Sequence, residues 1–188
     1  MRPSGLRERA AEDRRRATRS GKECVLSDGW DHGGEHDGFA GKFRDALARW
    51  ASGVAIVAVR VPEGISGMTA SSFCSVSLDP PLVLVSIAND ARVLAGIQAT
   101  RRFAVSILER RAESVSRLFA RKDRPDIAEE SYFNGSPDPL IRGALAGLAC
   151  RLWASYPGGD HQIVVGEVRS IELGEKADPL VYWNREYR

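Results

Sequence analysis

Cysteine is scarce in this chain: Cys24, Cys74 and Cys150 are the whole complement, an odd number with no C-x-x-C spacing. That argues against a disulfide framework and a thiolate zinc site, and makes a reducing cytoplasm the expected compartment. No apolar run approaches the roughly 18 residues that signal a membrane span, and the Arg-rich N-terminus lacks the apolar stretch of a secretory signal. An excess of one charge sign is also missing, since 27 Lys and Arg stand against 25 Asp and Glu for a net charge of +2. Such a balance creates no global field for nucleic acid or an anionic membrane, so small-molecule partners are expected and neither of those is. There is no Gly-rich dinucleotide fingerprint, no P-loop, no Ser/His/Asp triad, no paired-carboxylate arrangement and no internal repeat.

What is present suffices for one domain: 188 residues, 43% of them hydrophobic. Residues 1–38 stand apart. The first 22 carry eight Lys and Arg against three acidic residues, and residues 23–38 carry five acidic residues and no Lys or Arg. With few large apolar side chains this tail cannot offset the entropy of ordering, and it is expected to be disordered or loosely helical. His32 and His36 lie within it, four apart in DHGGEHD, but two glycines oppose the helix that would align them and no further ligand follows, so no metal is expected.

The domain is expected over residues 39–188. Phe43, Ala46, Leu47 and Trp50 recur as one face of a helix (Phe43–Trp50), and a β-branched strand follows at Val54–Val59. After turn chemistry at Pro62–Gly67 come a partly alternating strand, Ser71–Leu78, and an apolar one, Leu82–Ile87, with Pro80 and Pro81 fixing its start. Asp90 is placed to cap a short helix with Val93, Leu94 and Ile97 inward, and Phe103–Leu108 is the next strand. A second helix is expected over Arg110–Lys122 with Ala112, Val115, Leu118 and Phe119 inward, then a loop over 123–139. Strands at Leu148–Tyr156, His161–Leu173 and Leu180–Trp183 complete the chain. Many short strands with few helices point to a mainly β, antiparallel barrel with peripheral helices. Cys74 and Cys150 fall in apolar strand contexts and are expected in the core.

Two segments have the chemistry of a site. Gly67-Met68-Thr69-Ala70-Ser71-Ser72 gathers hydroxyls and small residues between a turn and a strand, where N–H groups and hydroxyls can converge on a phosphate or a polar ring edge. His161 is the one histidine beyond the tail, directly after Pro157-Gly158-Gly159-Asp160, a place that also suits an ordinary surface or capping histidine.

GMTASSFCSVSLDPPLVLVSI (67–87), RFAVSIL (102–108), GDHQIVVGEV (159–168) and PLVYW (179–183), in that order and spacing, resemble the flavin reductase family, which supplies reduced flavin to two-component monooxygenases. The resemblance covers about Phe43 to Tyr187. It implies a six-stranded Greek-key split barrel of FMN-binding type that forms a homodimer, binds FMN or FAD near the subunit interface, and takes hydride from NADH or NADPH. It further implies flavin contacts from Thr69, Ala70, Ser71, Ser72 and the turn at Ser77, with Ser86, Ile87 and Ala88 on the other side. His161 would orient the nicotinamide, with Asp160 fixing its ring by accepting a hydrogen bond. Relatives carry a Ser-x-Thr pattern where this chain has Ala91 and Val93, which leaves Arg92 between them, with Lys122 and Arg121 further on, as counter-charges for the phosphate. The expected partner is a separate oxygenase component. The alternative is a flavin-binding or flavin-sensing module without turnover.

Overall fold

The computed structural model describes residues 36–123 and 127–188. Most of the expected tail, His32 included, lies outside the described residues. The chain divides into two units, Met1–Ala40 and Gly41–Arg188, and every element after the first helix belongs to the second.

The first helix, α1, runs His36–Ala48. Its expected inward face is turned outward: Phe43 and Leu47 are more than half exposed, and Trp50, beyond the helix end, is 76% exposed. The reason lies in how α1 docks. Its polar side meets the C-terminus, through the Asn184 N–H to Ala48 O (2.7 Å), Trp183 Nε1 to Arg49 O (3.3 Å) and Arg185 to Asp45 (2.5 Å).

Strands β1 (Ser52–Gly53), β2 (Ala55–Val61), β3 (Gly64–Ala70), β4 (Cys74–Leu78) and β5 (Pro81–Ala88) follow, then helix α2 (Arg92–Thr100) and β6 (Arg102–Ile107). A 3-10 turn at Arg110–Ala112 leads into α3 (Glu113–Phe119), and a short α4 (Glu129–Tyr132) interrupts the expected loop. The long strands β7 (Ala146–Gly158) and β8 (His161–Leu173) precede β9 (Val181–Trp183) and β10 (Glu186–Tyr187). The main sheet is antiparallel throughout with order β3-β2-β6-β7-β8-β5-β4, and a small sheet has order β1-β9-β10.

The main sheet has seven strands, one more than the six-stranded barrel expected. The additional strand is β3. Its sequence GISGMTA is poor in bulky side chains, yet Pro62-Glu63 forms a two-residue turn that sets it against β2 from Val61↔Gly64 to Ala55↔Ala70. Gly64, at φ +127°, takes the backbone conformation that the turn demands and side chains disfavour.

One buried cluster gathers Val57 and Val59 from β2, Ala70 from β3, Val85 and Ile87 from β5, Phe103 from β6, Leu152 from β7 and Val164 from β8. Strands at opposite ends of a flat ladder cannot share a core, so the sheet is curled around this cluster as a barrel. Val93, Leu94 and Ile97 of α2 join it, as their spacing predicts. Ile56 and Ala58, on the other face of β2, join Phe119, Phe133 and Leu180 in a second cluster. Burial on both faces explains why β2 is continuously apolar rather than alternating. Cys150 is buried as expected, but Cys74 is exposed, because β4 is an edge strand paired only with β5.

Candidate functional site

Antiparallel register decides which side chains can meet. Directly paired residues project from the same face of a sheet. Ala70 pairs with Ala55 and faces the barrel core, whereas Thr69 pairs with Ile56 and Gly67 with Ala58 on the outside, under α3. On the other arm, Ile87 is fully buried, while Ser86 and Ala88 face outward beside their partners Ile163 and His161.

A cleft of about 870 Å³ opens on this outer side. Its walls come from β3 (Gly64 to Thr69), from Ala88 through α2, and from the end of α3 through Lys122. Thr69, Ala88, Arg92, Arg121 and Lys122 are the expected residues that line it. Missing side chains keep it open: a Cβ on Gly67 would come within 3.1 Å of the Phe119 ring. A second cavity of about 430 Å³, lined by Arg101, Arg102, Arg151 and Arg169 beside Asp138, contains none of the expected residues.

The segment Gly67–Ser72, expected as a loop, is the end of β3 plus the start of a short connection, and its hydroxyls are unequal. Thr69 Oγ1 donates to Ser116 O (2.6 Å), and Ser116 Oγ donates to Tyr187 Oη (2.9 Å). Ser72 Oγ donates to Ser86 O (3.0 Å) and accepts the Ser86 N–H (3.1 Å), which stitches the β3–β4 connection to β5. Ser71 is exposed and its hydroxyl takes no hydrogen bond among the described residues. Two of the three hydroxyls thus shape the backbone, and one is left for a ligand. Ala70 and Ile87 have their side chains in the core, so anything they offer outward is backbone. Ser77 accepts the Asp79 N–H (3.2 Å) in the β4–β5 turn and lines no part of the cleft.

His161 opens β8 opposite Ala88, which lines the cleft; His161 itself, like Ala70, Ser71, Ser72, Ser86 and Ile87, is not among the lining residues. Its Nδ1 lies 2.6 Å from Asp160 Oδ1, the orienting contact expected from the sequence. The hydrogen bond and charge of His161 hold the Asp160 carboxyl below its ordinary value. With Nδ1 committed to Asp160, Nε2 is the ring nitrogen left to meet a ligand.

Asn89 and Gln162 were not singled out by sequence. The Asn89 N–H donates to Asp160 O (3.0 Å), Asn89 Nδ2 to Gly159 O (3.2 Å) and Gln162 Nε2 to Asn89 Oδ1 (3.4 Å). These bonds fasten the His161 turn to the β5–α2 connection, which carries Asp90, Ala91 and Arg92 into the cleft. Only the pairing of β5 with β8 brings the two segments together, so no local signal betrays them.

At the cleft's basic end α2 begins without a side-chain cap. Its N-cap residue is Ala91, not Asp90, and Asp90 Oδ2 instead accepts from Lys122 Nζ at 2.9 Å. That ammonium holds the Asp90 carboxyl below its usual range. Arg121 pairs with both carboxylate oxygens of Asp123, at 3.2 and 3.0 Å, and its pKa is raised in consequence. An uncapped helix start and three cations suit a bound anion. Among the described residues no cluster of His, Cys, Asp and Glu has a metal-holding arrangement, and no helix is long and apolar enough to cross a membrane.

Residues 47–188 match the family model described as "Flavin reductase like domain". The chain is 48% identical over 146 residues to the reductase component of 4-hydroxyphenylacetate 3-monooxygenase from Thermus thermophilus, covering 78% of this chain and 93% of that protein. Among solved structures it is similar to the flavin reductase component of a bacterial two-component tryptophan halogenase, with TM-score 0.74 and 36% identity over 79% of this chain and 96% of that one. It is also similar to the NADH:FAD oxidoreductase of Streptomyces globisporus in complex with NAD and FAD fragments, with TM-score 0.70 and 35% identity over 79% and 91% of the two chains.

Proposed function

The chain belongs to the flavin reductase family, and from that premise we propose that it catalyses NAD(P)H-dependent reduction of FMN or FAD and passes the reduced flavin to a separate oxygenase component. The observation that carries this reading is one cleft lined by Thr69, Ala88, Arg92 and Lys122, with His161, held by Asp160, at the strand position paired with Ala88. About 870 Å³ lies within the range of small-molecule and cofactor sites, so a flavin fits in volume. A basic end beside an uncapped helix start fits a flavin phosphate.

Bound together, the two cofactors supply the chemistry, a hydride passing from nicotinamide C4 to flavin N5. The protein's part is position. Backbone groups from Thr69 to Ser72 and the Ser71 hydroxyl orient the ring, Arg92 and Lys122 draw the phosphate, and His161, fixed through Nδ1, presents Nε2 to the nicotinamide. No residue has to act as a strong acid or base.

The same face that carries Ser86, Ala88 and His161 continues through Leu84, Ile163 and Tyr156. A second copy of this chain seated there would form a homodimer with the flavin next to the interface. The deciding experiment gives purified protein FMN, FAD or riboflavin and follows NADH and NADPH oxidation. Turnover with at least one pair is expected, and none with any pair would end the reductase reading.

A further inference from the structure

Positive charge at the basic end of the cleft is largely neutralised by the chain's own carboxylates. Of the three cations there, Arg121 is held by Asp123 and Lys122 by Asp90. Only Arg92 has no ion pair among the described residues. Asp90 itself lines the cleft, one residue before the N-cap of α2. Its neighbour Asn89 is held by hydrogen bonds to Gly159, Asp160 and Gln162, which fix the backbone that carries the carboxylate. Ala91 and Val93 offer no hydroxyl to compensate.

The Lys122–Asp90 pair is exposed on both sides and is itself worth little. A phosphate can therefore displace Asp90 from Lys122, but the displaced carboxylate stays a few ångströms away and opposes the phosphate's negative charge. We propose that Asp90 competes with the flavin phosphate for Lys122, so that the cleft holds the phosphate weakly and the flavin behaves as an exchangeable substrate rather than a resident prosthetic group. This rests on the flavin reductase reading and assigns Asp90 as a residue that sets flavin selectivity. Discrimination between FMN and riboflavin is correspondingly small in the wild type.

The test is fluorescence titration of FMN and riboflavin, which share the ring and differ in the phosphate, into wild type, Asp90→Asn, Lys122→Met and the double variant. Asp90→Asn is expected to tighten FMN about three- to tenfold, leave riboflavin within about twofold, and lose its gain at high salt. Lys122→Met should weaken FMN more in the Asp90→Asn background than in the wild type, because only there is the ammonium unopposed. The proposal is overturned if Asp90→Asn leaves FMN affinity unchanged or lowers it, or if riboflavin tightens equally. Failure of the wild type to bind either flavin overturns the reductase reading together with this inference. Riboflavin binding with an unmoved FMN affinity overturns this inference alone.

Discussion

His161 depends on two neighbours that act differently. Asp160 fixes its ring at 2.6 Å, while Asn89 fixes the backbone of the turn that carries it. Removing the imidazole should therefore damage hydride transfer without touching flavin binding: His161→Ala is expected to lower kcat/KM for NADH about ten- to a hundredfold, with the flavin Kd within about twofold of wild type. A matching loss of flavin affinity would remove His161 from the nicotinamide side. The cysteines separate at the same scale. Cys74 is exposed and should react with a maleimide in the folded protein, whereas Cys150 should be labelled only after unfolding, a difference that peptide mapping reads directly. Burial pushes the Cys150 thiol from 9.0 up to about 12, so the folded state retains a proton that the unfolded chain releases. Its contribution to stability is whole below the ordinary thiol value and is lost as the pH rises towards the folded one. Cys150→Ala should cost about 1–2 kcal/mol at neutral pH by urea denaturation. That deficit should shrink by about 1.4 kcal/mol per pH unit above the ordinary thiol value, and a constant deficit would contradict the shift. The Asp160–His161 contact was legible because the two residues are adjacent in the chain. Cys74 was misjudged because an apolar sequence context does not reveal that its strand is an edge.

At the scale of elements, sequence placed most strands and helix α2 close to where they lie, since apolar runs and breakers mark them directly. It failed at β3. GISGMTA has little side-chain signal, and its strand character comes from a tight turn and from pairing with β2, a tertiary constraint rather than a propensity. The error mattered for function, because a strand commits alternate residues to opposite faces and so separates Ala70 from Thr69. Gly67 tests the packing that follows. Phe119, against which a Cβ there would press at 3.1 Å, is 2% exposed and meets Tyr132 and Phe133 edge-on at 6.1 and 5.7 Å. The ring has little room to yield. Gly67→Ala should cost about 1–3 kcal/mol in urea denaturation, and FMN binding should weaken as the wall shifts. An unaltered midpoint would mean that α3 moves freely over β3. Asp90 shows the same limit of sequence reading. Its position before α2 predicts a cap, but Lys122, brought in by the end of α3, offers a charged partner instead.

For the whole molecule, the apolar surface left exposed on the sheet is the feature that one chain cannot account for. Leu78 is 96% exposed and Val76 48% on the edge strand β4, and Tyr156 is 53% exposed beside Ile163. An edge strand carrying exposed aliphatic side chains is a liability unless something covers it. Register makes Tyr156 continuous with Ser86 and His161 through the pairs Ser86↔Ile163 and Tyr156↔Ile163, whereas Leu78, opposite Pro81, shares the face of Val83 and Val85. A second copy covering the Tyr156 face would bury that side chain and close one side of the site together. Assembly and turnover should therefore fail together. Tyr156→Glu, which puts a charge on that face without touching the barrel core, is expected to convert a dimer to a monomer by light scattering. The same variant should retain its strand signal by circular dichroism and lose most of its NADH oxidation. A monomer with full activity would detach the site from the interface, and an unaltered dimer would place the interface on another face, with α1 and its exposed Phe43 and Leu47 as the next surface to vary.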